Sequence, residues 1–271
     1  MVNRPNVRSQ DGPKAPLLCD ECEGTFAAWE KAFSEAIFQP IANHGAPDRA
    51  YGDWFAAFGA SVCWRVLNWA RDQAKLTSYE TRLPVAVPDA LERWRGFLLA
   101  PGASSDDPDI HFLPPSLVRG APEMDVPPNL HRYLMRAVDV EVITGGEHSH
   151  FVYAKLGPIL VLGFIRPAPE GAWEGSKIAP KGGRLPDTYA VPGALFNFVC
   201  DRAKLVLEAQ RAISSRQGER IADAWRGDPD RSASSATMDA LIADVETFGP
   251  DAVFRDRPDP GVPPDTKGTG I

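Results

Sequence analysis

The sequence predicts a mainly helical α+β fold, in which a helical bundle packs against a small antiparallel three-stranded sheet and a disordered C-terminal tail follows. Three observations predict it. Apolar residues recur at helical spacing over residues 20–42, 51–76, 89–99 and 193–216. The period falls to two over 138–165, where Val138, Val140 and Val142 alternate with Asp139 and Glu141. From Asp256 the chain sets prolines at 258, 260, 263 and 264, with only Val262 and Ile271 to anchor it, a composition that predicts disorder.

In chain order, residues 1–16 read as an extended polar segment with a small positive character from Arg4, Arg8 and Lys14. Residues 17–226 read as one globular domain. Its first helix, 20–42, carries Phe26, Trp29, Phe33 and Ile37 on one stripe, with Asp20, Glu21 and Glu23 at its start, where carboxylates suit the positive end of the helix dipole. The second, 51–76, is apolar on almost every side, through Trp54, Phe55, Phe58, Val62, Val66 and Leu67, and predicts a buried central helix. Gly59, Ala60 and Ser61 would let another helix approach it closely. Pro88 opens the third, 89–99, as proline suits a first turn. Residues 101–128 form a long loop, with Ile110 to Leu113 as a short strand candidate, and 129–137 a short helix. Residues 138–165 then predict a three-stranded meander, and 166–190 a Gly/Pro-rich loop. Pro192 opens the long helix 193–216. Residues 227–271 form an appendage, with a helix over 235–248 and then the tail.

Charge and composition exclude several function classes. The net charge of −7 argues against a surface that grips phosphate backbones throughout, while leaving room for a local nucleic-acid or protein partner. Four cysteines in 271 residues make no disulfide framework, which points to a reducing, cytoplasmic setting. The polar segment 1–16 has no apolar core for a signal peptide, and no run approaches the roughly 18 apolar residues of a membrane span. Gly182-Gly183 lacks the Lys-Ser/Thr of a phosphate loop, and no Gly-x-Ser-x-Gly elbow occurs.

The one local pattern with recognisable chemistry is Cys19-Asp20-Glu21-Cys22 at the head of the first helix. Two thiolates there converge on one point beside exposed N–H groups that favour their ionised form, which suits zinc. A structural zinc site takes four ligands, and this chain has no second pair, because Cys63 and Cys200 stand alone in apolar helical contexts. The pair therefore reads either as a zinc knuckle or as two thiols that cap and pack a helix start. Asp-Glu between the cysteines, without a preceding βαβ pattern, argues against a thioredoxin-like motif. His44, just after the first helix, is the nearest third ligand. His148 and His150 flank Ser149; in a strand both face one side and can share a metal with Glu147 or Asp139, or they mark a polar hairpin tip. His111 and His131 have no evident partners in the sequence.

The run Leu17-Leu18-Cys19-Asp20-Glu21-Cys22-Glu23, followed by Trp29-Glu30, Phe38, Tyr51-Gly52-Asp53-Trp54 and Trp64-Arg65-Val66-Leu67, resembles a group of uncharacterised bacterial proteins. The longer members look like relatives of the HNH (treble-clef) nucleases. The resemblance covers roughly 10–70, with a weaker echo in Tyr153, Lys155, Gly157, Pro158, Ile159, Gly163 and Phe164. It implies that Cys19 and Cys22 match the second of two zinc-binding pairs. Nothing in the chain matches the first pair or the histidine that serves as general base. The resemblance thus implies a degenerate, non-catalytic treble-clef-like protein that acts by binding a protein or nucleic-acid partner. The alternatives are an HNH-type nuclease whose missing pair and base lie upstream or on another subunit, and a metal enzyme built on His148 and His150.

Overall fold

The most apolar stretch of the chain folds as helix α3, Trp54–Asp72. Phe55, Ala57, Phe58, Ala60, Cys63 and Leu67 are all buried on it, as an element apolar on nearly every side requires. In the computed structural model the described residues are 17–43, 47, 50–73, 86–101, 107–114, 126–145, 149–185 and 188–254. They divide into two compact units, one drawn from 17–114 and 134–198, the other from 126–133 and 199–254.

In the first unit α3 packs against α1 (Asp20–Phe33) and α4 (Ala86–Leu99). Phe33 of α1 stacks on Phe58 with ring centroids 3.9 Å apart. α1 does not run on unbroken. A π-helical turn, Ser34–Phe38, leads into the short helix α2, Gln39–Ala42, whose second residue is Pro40. Proline has no N–H to give and its ring crowds the carbonyl four residues back, so the wider turn lets the helix pass it. α4 begins at Ala86, ahead of the expected Asp89; Pro88 sits inside the first turn, where no intrahelical donor is needed.

Four antiparallel strands form the main sheet, in the order β2 (Ile110–Leu113), β5 (Ile159–Phe164), β4 (Ser149–Leu156), β3 (Val138–Gly145). The meander is as expected. The strand count is corrected from three to four, because β2 joins β5 with Ile110 opposite Gly163 and Leu113 opposite Leu160. Gly157, at φ +60°, makes the β4–β5 turn. A separate ribbon pairs β1 (Ala50–Tyr51) with β6 (Gly183–Arg184).

The sheet is covered on both faces, so β5 is buried at every residue. Val152, Ala154, Ile159, Val161 and Ile110 face the helices and share their core. The alternate residues, Phe151, Tyr153, Leu162, Phe164 and His111, turn to the opposite side. There Trp173 packs edge-on against Phe151, Phe164 and His111. Phe198 of α6 (Gly193–Arg211) meets Tyr153 on that same side. The start of α6 is therefore not part of a bundle with α1, α3 and α4. Gly59 and Gly163 are the close-approach points between helices and sheet. A Cβ on Gly59 would lie 2.5 Å from Ile110 Cγ2, and one on Gly163 would lie 2.6 Å from Cys63 Sγ. The small residues of α3 admit a strand, not a second helix.

The second unit is helical. It contains the start of α5 (Leu130–Arg136), the later part of α6, α7 (Ser215–Gly227), α8 (Pro229–Ala233), α9 (Ala236–Phe248) and α10 (Pro250–Phe254). The expected helix 193–216 ends at Arg211, because Ser214 caps a new helix by accepting from the N–H of Gln217. Ser235 caps α9 in the same way, accepting from Met238. Asp244 of α9 is fully buried and accepts from the backbone N–H of His131 at 2.8 Å and from Arg132 Nε at 2.6 Å. Its carboxyl thereby serves the first turn of α5, where N–H groups lack helical partners. The expected tail, from Asp256, lies outside the described residues. Among the described residues no helix is long and apolar enough to cross a membrane.

Candidate functional site

The head of α1 carries the cysteine pair. Cys19 is the N-cap residue, with extended backbone (φ −86°, ψ 165°), and its carbonyl accepts the first helical bond from the N–H of Glu23 at 2.9 Å. Cys22 follows three residues on, within the first turn of the helix. Cys19 is exposed and Cys22 half-buried, with the two thiols within hydrogen-bond reach. The backbone N–H of Cys22 holds the Cys19 thiol below its ordinary value; the Cys19 sulfur beside it pushes the Cys22 thiol up. Asp20, Glu21 and Glu23 surround the pair, all exposed. Leu18 and Trp29 pack against the core below. The thiols therefore sit on a firmly anchored helix while facing water.

The other expected ligands do not gather there. His44 and His148 lie outside the described residues. His150 is buried in β4, paired across the ladder with Thr144, and its carbonyl accepts from the N–H of Ile165. It is a strand residue in the interior, not part of a hairpin tip facing water. Cys63 and Cys200 are buried, as expected of packing residues, and burial pushes the Cys63 thiol far above its ordinary value. Among the described residues, no group of three or more His, Cys, Asp and Glu side chains is placed to hold a metal ion.

A second polar cluster, invisible in the local sequence, lies along the β2 edge of the sheet. Residues 176–178 run beside β2 as a strap. Phe112 donates its N–H to Ser176 O, and Ile178 donates to Ile110 O, both at 2.8 Å. Side chains repeat the tie. His111 is 2 % exposed and its Nδ1 lies 2.8 Å from Ser176 Oγ. The serine hydroxyl donates to Trp173 O at 2.9 Å, which assigns the ring proton to Nδ1. Nε2 lies 3.4 Å from Asp109 Oδ1, without a hydrogen bond among the described residues. Asp109 sits at φ +50° and accepts from the N–H of Ala168 at 2.9 Å and from Lys177 Nζ at 2.9 Å; Lys177 also reaches Asp107 at 2.7 Å. Burial raises the Asp109 carboxyl, but the Lys177 ammonium and the Ala168 N–H outweigh it and hold the group well below the usual carboxylate range.

Serine, histidine and aspartate thus stand in line, the arrangement that activates a nucleophile in hydrolases. Here Ser176 is 1 % exposed and its hydroxyl is committed to a backbone carbonyl, so the line works as a clamp that fixes the strap to the sheet. Asp109 lies just ahead of β2 and His111 within it, and nothing local marks the two as a pair. Ser176 lies 65 positions downstream of His111.

Lys155 is the remaining unusual group. It is 2 % exposed, and its ammonium donates to Leu134 O at 2.6 Å and to Gly157 O. Burial pushes it down to about 7, against the opposing pull of Asp139. It ties the end of α5 to the β4–β5 turn.

Comparison with protein-family models, with curated proteins and with solved structures yields no match to this chain.

Proposed function

We propose that the protein is a partner-binding module, a degenerate relative of the HNH treble-clef group, that docks through the Cys19–Cys22 head of α1 and holds zinc only as part of a shared site. The observation that carries the proposal is the pair itself: two thiols one turn apart, at the water-facing head of a helix whose other end is locked into the core. Two thiolates are half of a structural zinc sphere, and a partner offering two more ligands completes it. The acidic residues around the pair select a partner whose surface is basic at that point.

Zinc titration against a competing chelator tests this. The chain alone takes up zinc weakly, and Cys19→Ser abolishes that uptake. A purified chain that holds one zinc per molecule through dialysis against chelator, and that cleaves DNA with an added divalent metal, overturns the proposal in favour of a complete nuclease site.

A further inference from the structure

We infer that Cys19 and Cys22 form a reversible dithiol–disulfide couple that exchanges with disulfides on cationic partners. The inference uses the same two residues as the partner-binding proposal but none of its metal chemistry, so either can fail alone.

Geometry carries it. An i, i+3 spacing at a helix start brings the two Cβ atoms to about 5–6 Å, and Cys19 is the N-cap with Cys22 in the first turn. Disulfides need Cα atoms within about 7 Å and side chains turned toward each other. Here an exposed Cys19 at the N-cap and a half-buried Cys22 in the first turn share one helix end, with each thiol influencing the other. The two positions are unequal in the sense exchange requires. Cys19 is exposed and able to meet another molecule's sulfur; Cys22 is half-buried and less open to a partner, which suits it to attack Cys19 instead. Cys63 and Cys200 are buried and stand outside the reaction.

The steps balance. Cys19 thiolate attacks one sulfur of the partner disulfide; that S–S bond breaks and one partner thiolate leaves. Cys22, as thiolate, then attacks Cys19 Sγ, the mixed disulfide breaks and the second partner thiolate leaves. The chain loses two electrons and two protons, and the partner gains both electrons and takes up the protons as two thiols. The reverse reaction with a small thiol restores the pair.

The choice of partner charge follows from Asp20, Glu21 and Glu23, which ring the pair with exposed carboxylates. They repel an anionic disulfide such as oxidised glutathione and attract a cationic one such as cystamine.

The test uses the full chain, reduced, with chelator present so that metal cannot mask the thiols. It is mixed with equal amounts of cystamine or oxidised glutathione, and products are read by intact mass and peptide mapping. The expected result is one intrachain disulfide within the peptide holding Cys19 and Cys22, reversed by excess thiol. Cystamine should react about tenfold faster than oxidised glutathione at low salt, with the gap closing as salt rises. Cys22→Ser should stop at a stable mixed disulfide on Cys19, while Cys19→Ser reacts slowly. If the wild-type chain accumulates mixed disulfides without closing the intrachain bond, or if mapping places the disulfide elsewhere, the couple does not exist. Equal rates with the two reagents overturn the cationic preference.

Discussion

The head of α1 and the strap along β2 are both clusters of ionisable and nucleophilic side chains, and they differ in one respect that decides their roles. At the strap, the hydroxyl of Ser176 and the carboxylate of Asp109 already have protein partners, and the ring of His111 is buried between them. At the head of α1 the thiols meet each other and water. A serine–histidine–aspartate line in the interior is architecture; a cysteine pair in the open is still accessible to a second molecule. Residue type alone would rank the two the other way round.

Substitutions at the two places should separate them sharply. The largest effect is expected from Asp109→Ala. It strips the Ala168 N–H of its acceptor and leaves the half-exposed Lys177 ammonium to Asp107 alone, beside a buried imidazole, and losing hydrogen bonds to a buried carboxylate in this way costs up to about 3 kcal/mol. Urea denaturation measures it; a loss indistinguishable from zero means the strap is not held this way. The pH dependence has a definite sign. Because the folded state holds the Asp109 carboxyl below its unfolded value, its contribution is complete above that value and is lost as pH falls through the folded one. Asp109→Asn should therefore flatten the acid limb of the stability profile.

Next in size is Gly163→Ala. The new methyl would meet Cys63 Sγ at 2.6 Å and Trp94 Cζ2 at 3.0 Å, both on buried residues that cannot move aside freely. Overpacking of this kind costs about 1–3 kcal/mol, read as a lower thermal midpoint. Lys155→Met follows, and its signature is a slope rather than an offset. Burial lowers the folded-state value to about 7, so between there and the unfolded value near 10.5 the unfolded chain binds more protons and stability rises with pH. The variant should lose that rise relative to wild type. The smallest effect belongs to the head of α1. Cys19→Ser and Cys22→Ser should leave the urea midpoint unchanged while abolishing zinc uptake, and a clear drop in the midpoint would make the pair a structural cap instead.

Much of this fold was legible in the sequence, because the signals for it are local. The all-apolar α3, the stripe Phe26, Phe33, Ile37 of α1, and the alternation of Val138, Val140 and Val142 each specify an element from within a dozen residues. The exposed cysteine pair was legible for the same reason. The fourth strand was marked only by Ile110 and Phe112, whose partners Gly163 and Val161 lie far along the chain. The break after Arg211 turned on a single serine cap competing with continued helix. The strap was illegible because Asp109 and His111 gain meaning only beside Ser176 and Lys177, and Trp173, which covers them, sits in a stretch that reads as loop.

One consequence of the turn at Ser34–Phe38 remains. A π turn holds an extra residue, and each helical residue advances the chain by about 100° around the axis, so everything beyond it is swung through roughly that angle. Ile37 and Ile41 are both buried after that swing. Pro40 thus sets the heading on which the chain leaves its first helix toward β1. Replacing it with alanine would remove the obstacle to a regular helix, and with it the reason for the chain to turn there.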